Sequence, residues 1–166
     1  MAKTVEEGFR SFHDDRLTQN TTETDAAKSH RATLEASLKA TFAITRFFRT
    51  GSVGNGTGVR HHSDIDYFAS IPAGHQRANS DTMLRVMRDV LNDRFSRTDV
   101  VVRTPAVLVP FGRDGSESTE IIPAKYIEKD KAGNLVYGIA NGSGTWMRSS
   151  PDAHNGYVAS IRLIAE

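Results

Sequence analysis

Gly51-Ser52-Val53-Gly54-Asn55-Gly56-Thr57-Gly58-Val59-Arg60-His61-His62-Ser63-Asp64-Ile65-Asp66-Tyr67 is the stretch on which the fold turns: a glycine-dense bend running into a segment with two acids. Tyr67 is followed by Phe-Ala-Ser-Ile, so residues 64–71 read as a β-strand of aromatic and β-branched character. Side chains alternate faces along a strand, which puts Asp64 and Asp66 on one face and Ile65 and Tyr67 on the other. Two neighbouring carboxylates repel each other unless a cation offsets them. The bend supplies what a phosphate needs. Glycine lets an anion approach the main chain, successive N–H groups form an anion nest, and Ser52 adds a hydroxyl donor. No Lys-Ser or Lys-Thr follows the glycines, so this is not a Walker loop. The spacing of Gly54, Gly56 and Gly58 is not the dinucleotide fingerprint either.

Upstream, Val5, Phe9, Phe12 and Leu17 are spaced for a short amphipathic helix over residues 4–17. The polar QNTTETD segment reads as a loop ending in a helix cap. From about Asp25 to Phe42, Ala32, Leu34, Leu38 and Phe42 recur at helical spacing, and Phe42, Phe47 and Phe48 read as core residues. Downstream, Met83, Val86, Met87, Val90 and Leu91 predict a helix over residues 80–95, capped by Ser80 or Asp81. DVVVRTPAVLVPF gives one or two strands broken at Pro105, and GRDGSES gives a turn. STEIIPA is expected to be a short strand stopped by Pro123, KDKAGN a turn, and LVYGIA a strand. Trp146 sits in a short extended piece before a helix that begins near Pro151. The pattern predicts an α+β domain with a mixed, α/β-type sheet.

The chain has 166 residues, 38% of them hydrophobic and 25% charged, with a formal net charge of +1 and no cysteine. This is enough for one globular domain with a real core. Disulfides and thiolate zinc sites are excluded. The small net charge argues against a stable nucleic-acid partner. No apolar run is long enough to span a bilayer, and the acidic start is unlike a signal peptide, so a cytoplasmic location with no membrane partner is expected.

A third acid, Glu120, stands alone in the apolar run Glu120-Ile121-Ile122-Pro123-Ala124. Mg²⁺ takes oxygen ligands, commonly one or two carboxylates completed by phosphates and water. A third carboxylate on an adjacent strand would allow two ions about 3.5–4 Å apart, the clamp for in-line phosphoryl transfer. Alone, Asp64-x-Asp66 reads as a solvated strand face and Glu120 as a surface acid on an edge strand; the combination carries the metal expectation. His61 and His62, being adjacent, face opposite ways and read as loop histidines. Arg60, Lys125 and Trp146 read by default as a loop arginine, a surface lysine and a packed aromatic.

Together, GSVGNGT, SDIDYF and EIIPA resemble the DNA polymerase β-like nucleotidyltransferases. The chain is most similar to the bacterial cGAS/DncV-like (CD-NTase) cyclic oligonucleotide synthases of CBASS anti-phage defence. SSPDAH after the tryptophan strand is similar to the segment leading into the second domain of such enzymes.

The resemblance implies a polymerase β-like core with N-terminal helices. Asp64, Asp66 and Glu120 would bind two Mg²⁺ ions, with Mn²⁺ as a substitute, and be the catalytic residues. Gly51 and Ser52, with Thr57 and Ser63, would contact the nucleotide. Many relatives carry Asp where Glu120 stands. The second, helical domain is not found in residues 1–166, which read as the catalytic domain, the N-terminal half of a larger enzyme. The expected reaction is Mg²⁺-dependent transfer of NMP from a nucleoside triphosphate to a nucleotide hydroxyl. The product would be a cyclic or linear oligonucleotide messenger read by a downstream effector. The alternatives are a nucleotidyltransferase that modifies a protein, a tRNA or a small molecule, and an inactive NTP-binding module.

Overall fold

The computed structural model describes residues 4–12, 21–51, 65–112 and 117–164. Four helices and seven strands follow in order: α1 (Val5–Phe12), α2 (Thr21–Phe42), β1 (Arg46–Thr50), β2 (Ile65–Ile71), α3 (Ser80–Arg94), β3 (Val101–Arg103), β4 (Ala106–Phe111), β5 (Glu117–Lys129), β6 (Leu135–Ala140), β7 (Trp146–Ser149) and α4 (Pro151–Ile164). The strands form one mixed sheet, as expected. Its main path runs β1-β2-β5-β4-β3, with β6 beside β5 and β7 beside β6. Among the described residues, β2 and β5 are the one parallel pair.

One sheet face carries the main core. Leu34, Leu38 and Phe42, spaced four apart on α2, are buried with Met83, Leu84, Met87 and Leu91 of α3. They pack over Phe47, Tyr67, Ala69, Ile71, Val107, Val109 and Ile121 from the strands. Phe47 and Tyr67 stack with ring centroids 4.6 Å apart. The opposite face holds a smaller cluster: Phe68, Ala124, Tyr137 and Ile139, flanked by Phe48, Ile122 and Leu135. Alternation along β2 therefore splits Tyr67 and Phe68 between two cores. Among the described residues no helix is long and apolar enough to cross a membrane.

Three expectations need correction. Helix α2 begins at Thr21, so TTETD is helical backbone rather than loop. Thr and Asp are weak helix formers, but extending a helix that already exists costs far less than nucleating one. The cap of α3 is Asn79, not Ser80 or Asp81: its side chain accepts a hydrogen bond from the Thr82 amide at 2.9 Å. Serine 80 is instead buried, and its hydroxyl donates to the Thr145 carbonyl at 2.6 Å. Pro123 does not end its strand, because β5 runs on to Lys129. Pairing with β4 stops at Ile121 and pairing with β6 starts at Lys125, so on that side no partner strand needs an amide from Pro123. The first helix is described only over Val5–Phe12; Leu17 lies outside the described residues.

Candidate active site

Asp66 is the second residue of β2, and Glu120 the fourth of β5. The parallel register makes them direct partners, so both carboxylates leave the same face of the sheet on neighbouring strands. Thr50 is the partner of Asp66 on β1, and Leu108 the partner of Glu120 on β4. A single row thus crosses four strands: Thr50, Asp66, Glu120, Leu108. It lies on the face turned away from α2 and α3, because the alternating neighbours Tyr67 and Ile121 belong to the helix-covered core. Two residues along, on the same face, Phe48, Phe68 and Ile122 supply an apolar floor. Glu120 is not a surface acid on an edge strand. It is half-buried in a strand flanked on both sides, with the buried Leu108 next to it.

Gly51 follows Thr50 with a φ of 66°, in the left-handed region that favours glycine. It lies directly against Asp66. A Cβ on Gly51 would overlap the Asp66 Oδ2 and stand 2.7 Å from its Cγ and 3.1 Å from its Cβ.

Of the residues expected at the site, Gly51, Asp66 and Glu120 are therefore brought together. Ser52, Thr57, Arg60, His61, His62, Ser63 and Asp64 lie outside the described residues. No third His, Cys, Asp or Glu joins the acid pair among the described residues. The donor set nevertheless suits a hard divalent cation: two anionic oxygen ligands from register-paired positions on adjacent strands. Thr50 was missed from the sequence. The alternation of Arg-Phe-Phe-Arg-Thr places it on the face of Phe48, but only the β1–β2 register places it beside Asp66.

Two default readings hold. Lys125 is five positions beyond Glu120, about 16 Å by strand rise. It lines a cavity of about 350 Å³ with Thr45, Arg46, Ser70, Tyr126 and Tyr137, away from the acid pair. Trp146 packs against the main core, and its indole N–H donates to the Ala78 carbonyl at 3.0 Å. Further along the acid-bearing face, Arg46 of β1 donates to both carboxylate oxygens of Asp152 in the first turn of α4, at 2.9 and 3.2 Å. It also donates to the Tyr137 hydroxyl at 2.6 Å. The Asp152 hydrogen bond holds the Arg46 guanidinium above its ordinary pKa, with a smaller rise from Tyr137 and an opposing effect of burial.

Residues 3–161 match the model of the Second Messenger Oligonucleotide or Dinucleotide Synthetase (SMODS) domain. The chain belongs to the SMODS family. Its fold is that of the polymerase β-like nucleotidyltransferases as CD-NTases display it. The structure of E. coli MS115-1 CdnC with ATP aligns at a TM-score of 0.66 and 22% identity, over 92% of this chain and 49% of that one. Elizabethkingia meningoseptica CdnE cyclic dinucleotide synthase, with GTP and Apcpp, gives 0.59 and 19% over 78% and 49%. Bradyrhizobium diazoefficiens CdnG with GTP gives 0.63 and 15% over 83% and 41%. The SMODS chain thus spans about half the length of the CD-NTases it aligns with. No curated protein matches the chain in sequence.

Proposed function

We propose that this SMODS chain is the catalytic domain of an enzyme that transfers a nucleoside monophosphate from an NTP to a hydroxyl of another nucleotide. Pyrophosphate leaves, and a cyclic or linear oligonucleotide messenger forms. The observation that carries the reading is the direct register of Asp66 with Glu120 on the sheet face opposite α2 and α3. Membership of a family described as second messenger synthetases supports this reaction class. ATP and GTP in the related CdnC, CdnE and CdnG structures favour nucleoside triphosphates as donors here.

Asp66 and Glu120, with Asp64, would hold two Mg²⁺ ions, or Mn²⁺ in their place. Such ions would neutralise charge on the triphosphate and make the acceptor hydroxyl easier to deprotonate. Glu120, beside Leu108 in the sheet, would take that proton as the oxygen attacks the α-phosphorus and the bond to pyrophosphate breaks. Ser52, Thr57 and Ser63 would contact the nucleotide. In the whole enzyme a second, helical domain would close over this face and exclude water. The setting is a cytoplasmic anti-phage pathway in which an effector reads the product.

The test is incubation with all four NTPs and Mg²⁺ or Mn²⁺, with products identified by mass spectrometry. Oligonucleotides and pyrophosphate that vanish in Asp66→Ala support the reading. Nucleotidylated protein, tRNA or small molecule instead of an oligonucleotide changes the acceptor. Metal-dependent NTP binding with no pyrophosphate, by this chain and by the enzyme with its second domain, overturns it.

A further inference from the structure

Resting on that reading, we propose that Gly51 is the seat of the Asp66 carboxylate, and that this fit, not a phosphate contact, is why position 51 is glycine. Three observations converge. A Cβ at 51 would overlap Asp66 Oδ2 and crowd Cγ and Cβ of the same side chain. Those atoms belong to a single side chain, so the missing methyl group leaves room for one carboxylate and for nothing else among its nearest neighbours. The antiparallel register of Thr50 with Asp66 then brings the end of β1 alongside that side chain. Lastly, the φ of 66° at Gly51 turns the chain at this point, so its bare Cα, rather than a side chain, meets the acid.

A metal-binding carboxylate needs a fixed rotamer, because ligand groups that wander cost affinity. With Glu120 on one side and the Thr50–Gly51 step on the other, Asp66 is held between β5 and β1. A methyl group at 51 would push the carboxylate off this position or force the turn open. In either case the loss falls first on the cation and only through it on the nucleotide. Gly51 is therefore a positioning residue: it acts through Asp66.

The experiment measures Mn²⁺ affinity by electron paramagnetic resonance with no nucleotide present, and ATP affinity in EDTA. It compares wild type, Gly51→Ala, Asp66→Ala and the double variant. A seat predicts that Gly51→Ala weakens Mn²⁺ binding by about 10- to 100-fold and leaves metal-free ATP affinity within about 2-fold. It also predicts no further loss of Mn²⁺ affinity when Gly51→Ala is added to Asp66→Ala. Since the side-chain clash is with Asp66 itself, Asp66→Ala should recover part of the melting temperature lost in Gly51→Ala, the left-handed φ at position 51 accounting for the remainder. Unchanged Mn²⁺ affinity with weakened metal-free ATP binding in Gly51→Ala overturns the proposal, as does a double variant no more stable than Gly51→Ala. If Asp66→Ala itself binds Mn²⁺ like wild type, the catalytic reading fails instead.

Discussion

Arg46, the first residue of β1, and Asp152, in the first turn of α4, are joined by two hydrogen bonds across the acid-bearing face. The same guanidinium lies 4.4 Å from the centre of the Phe48 ring and donates to the Tyr137 hydroxyl. This makes Arg46 the link by which α4 is held to β1 and β6. Both partners are about a third exposed, so solvent screens the pair and Coulomb attraction alone contributes little. The geometry adds more, because a guanidinium that meets both oxygens of a carboxylate is already organised to do so. Arg46→Ala and Asp152→Ala should each lower stability by about 1 kcal/mol. Their coupling in a double-mutant cycle should shrink as salt is raised. Arg46→Lys should recover less than half of the loss. Chemical denaturation at two ionic strengths checks all three.

The acid pair should leave a mark on stability before any substrate is added. Like charges in register on adjacent strands destabilise a sheet. Asp66→Asn and Glu120→Gln should therefore melt at or above the wild-type temperature without metal. Wild type should gain several degrees on addition of Mg²⁺, by mass action, and the variants should not. Nucleotidyl transfer by the full enzyme should fall at least about 100-fold in either variant, since both are expected to touch the ion directly. Thermal scans with and without Mg²⁺, alongside pyrophosphate release, make the measurement.

Helix α2 ends at Phe42, and the residue after it, Ala43, has a left-handed φ of 50° although it is not glycine. Its amide donates to the Lys39 carbonyl at 3.1 Å, as at a helix C-terminus. An L-residue here costs about 1–2 kcal/mol. Ala43→Gly should relieve that strain and lose part of the gain to a freer unfolded chain. A net stabilisation of about 0.5–1 kcal/mol is expected. Denaturant midpoints at constant m-value would show it.

Asp130 organises the β5–β6 turn. Its carboxylate accepts from the Ala132 and Asn134 amides and from the Asn134 side chain. The Asn134 side-chain hydrogen bond, followed by the backbone ones, holds its pKa below the ordinary carboxylate value. A depressed folded-state pKa gives stability that is present above the unfolded pKa and lost as pH falls through the folded one. The turn contribution should thus be flat from neutral pH down to about pH 4 and fade below it. Asp130→Ala should flatten that acid limb, as read from melting temperature against pH.

The sequence made some of this plain and concealed the rest for identifiable reasons. The faces of α2 and α3 were legible because Leu34, Leu38 and Phe42, and Met83, Met87 and Leu91, follow the helical repeat that burial demands. The alternation around Asp66 was legible for the same kind of reason. Pro123 misled because its effect depends on which neighbouring strand needs its amide, and that is a matter of pairing. The α3 cap was placed one or two residues late because Asn, Ser and Asp are all good caps and stand in a row. Thr50 and Leu108 could not be seen beside the acids, since register joins residues that no local pattern connects.

The parallel pairing of β2 with β5 has a consequence for how the chain comes into being. A synthesising ribosome releases Asp66 well before Glu120, with α3 and the β3–β4 strands in between. Until β5 has emerged and docked, Asp66 lacks its register partner Glu120 and the sheet lacks its central strand. The proposed acid pair therefore forms only after β5 docks, and a nascent chain stalled before Glu117 would lack the strand that brings Glu120 to Asp66.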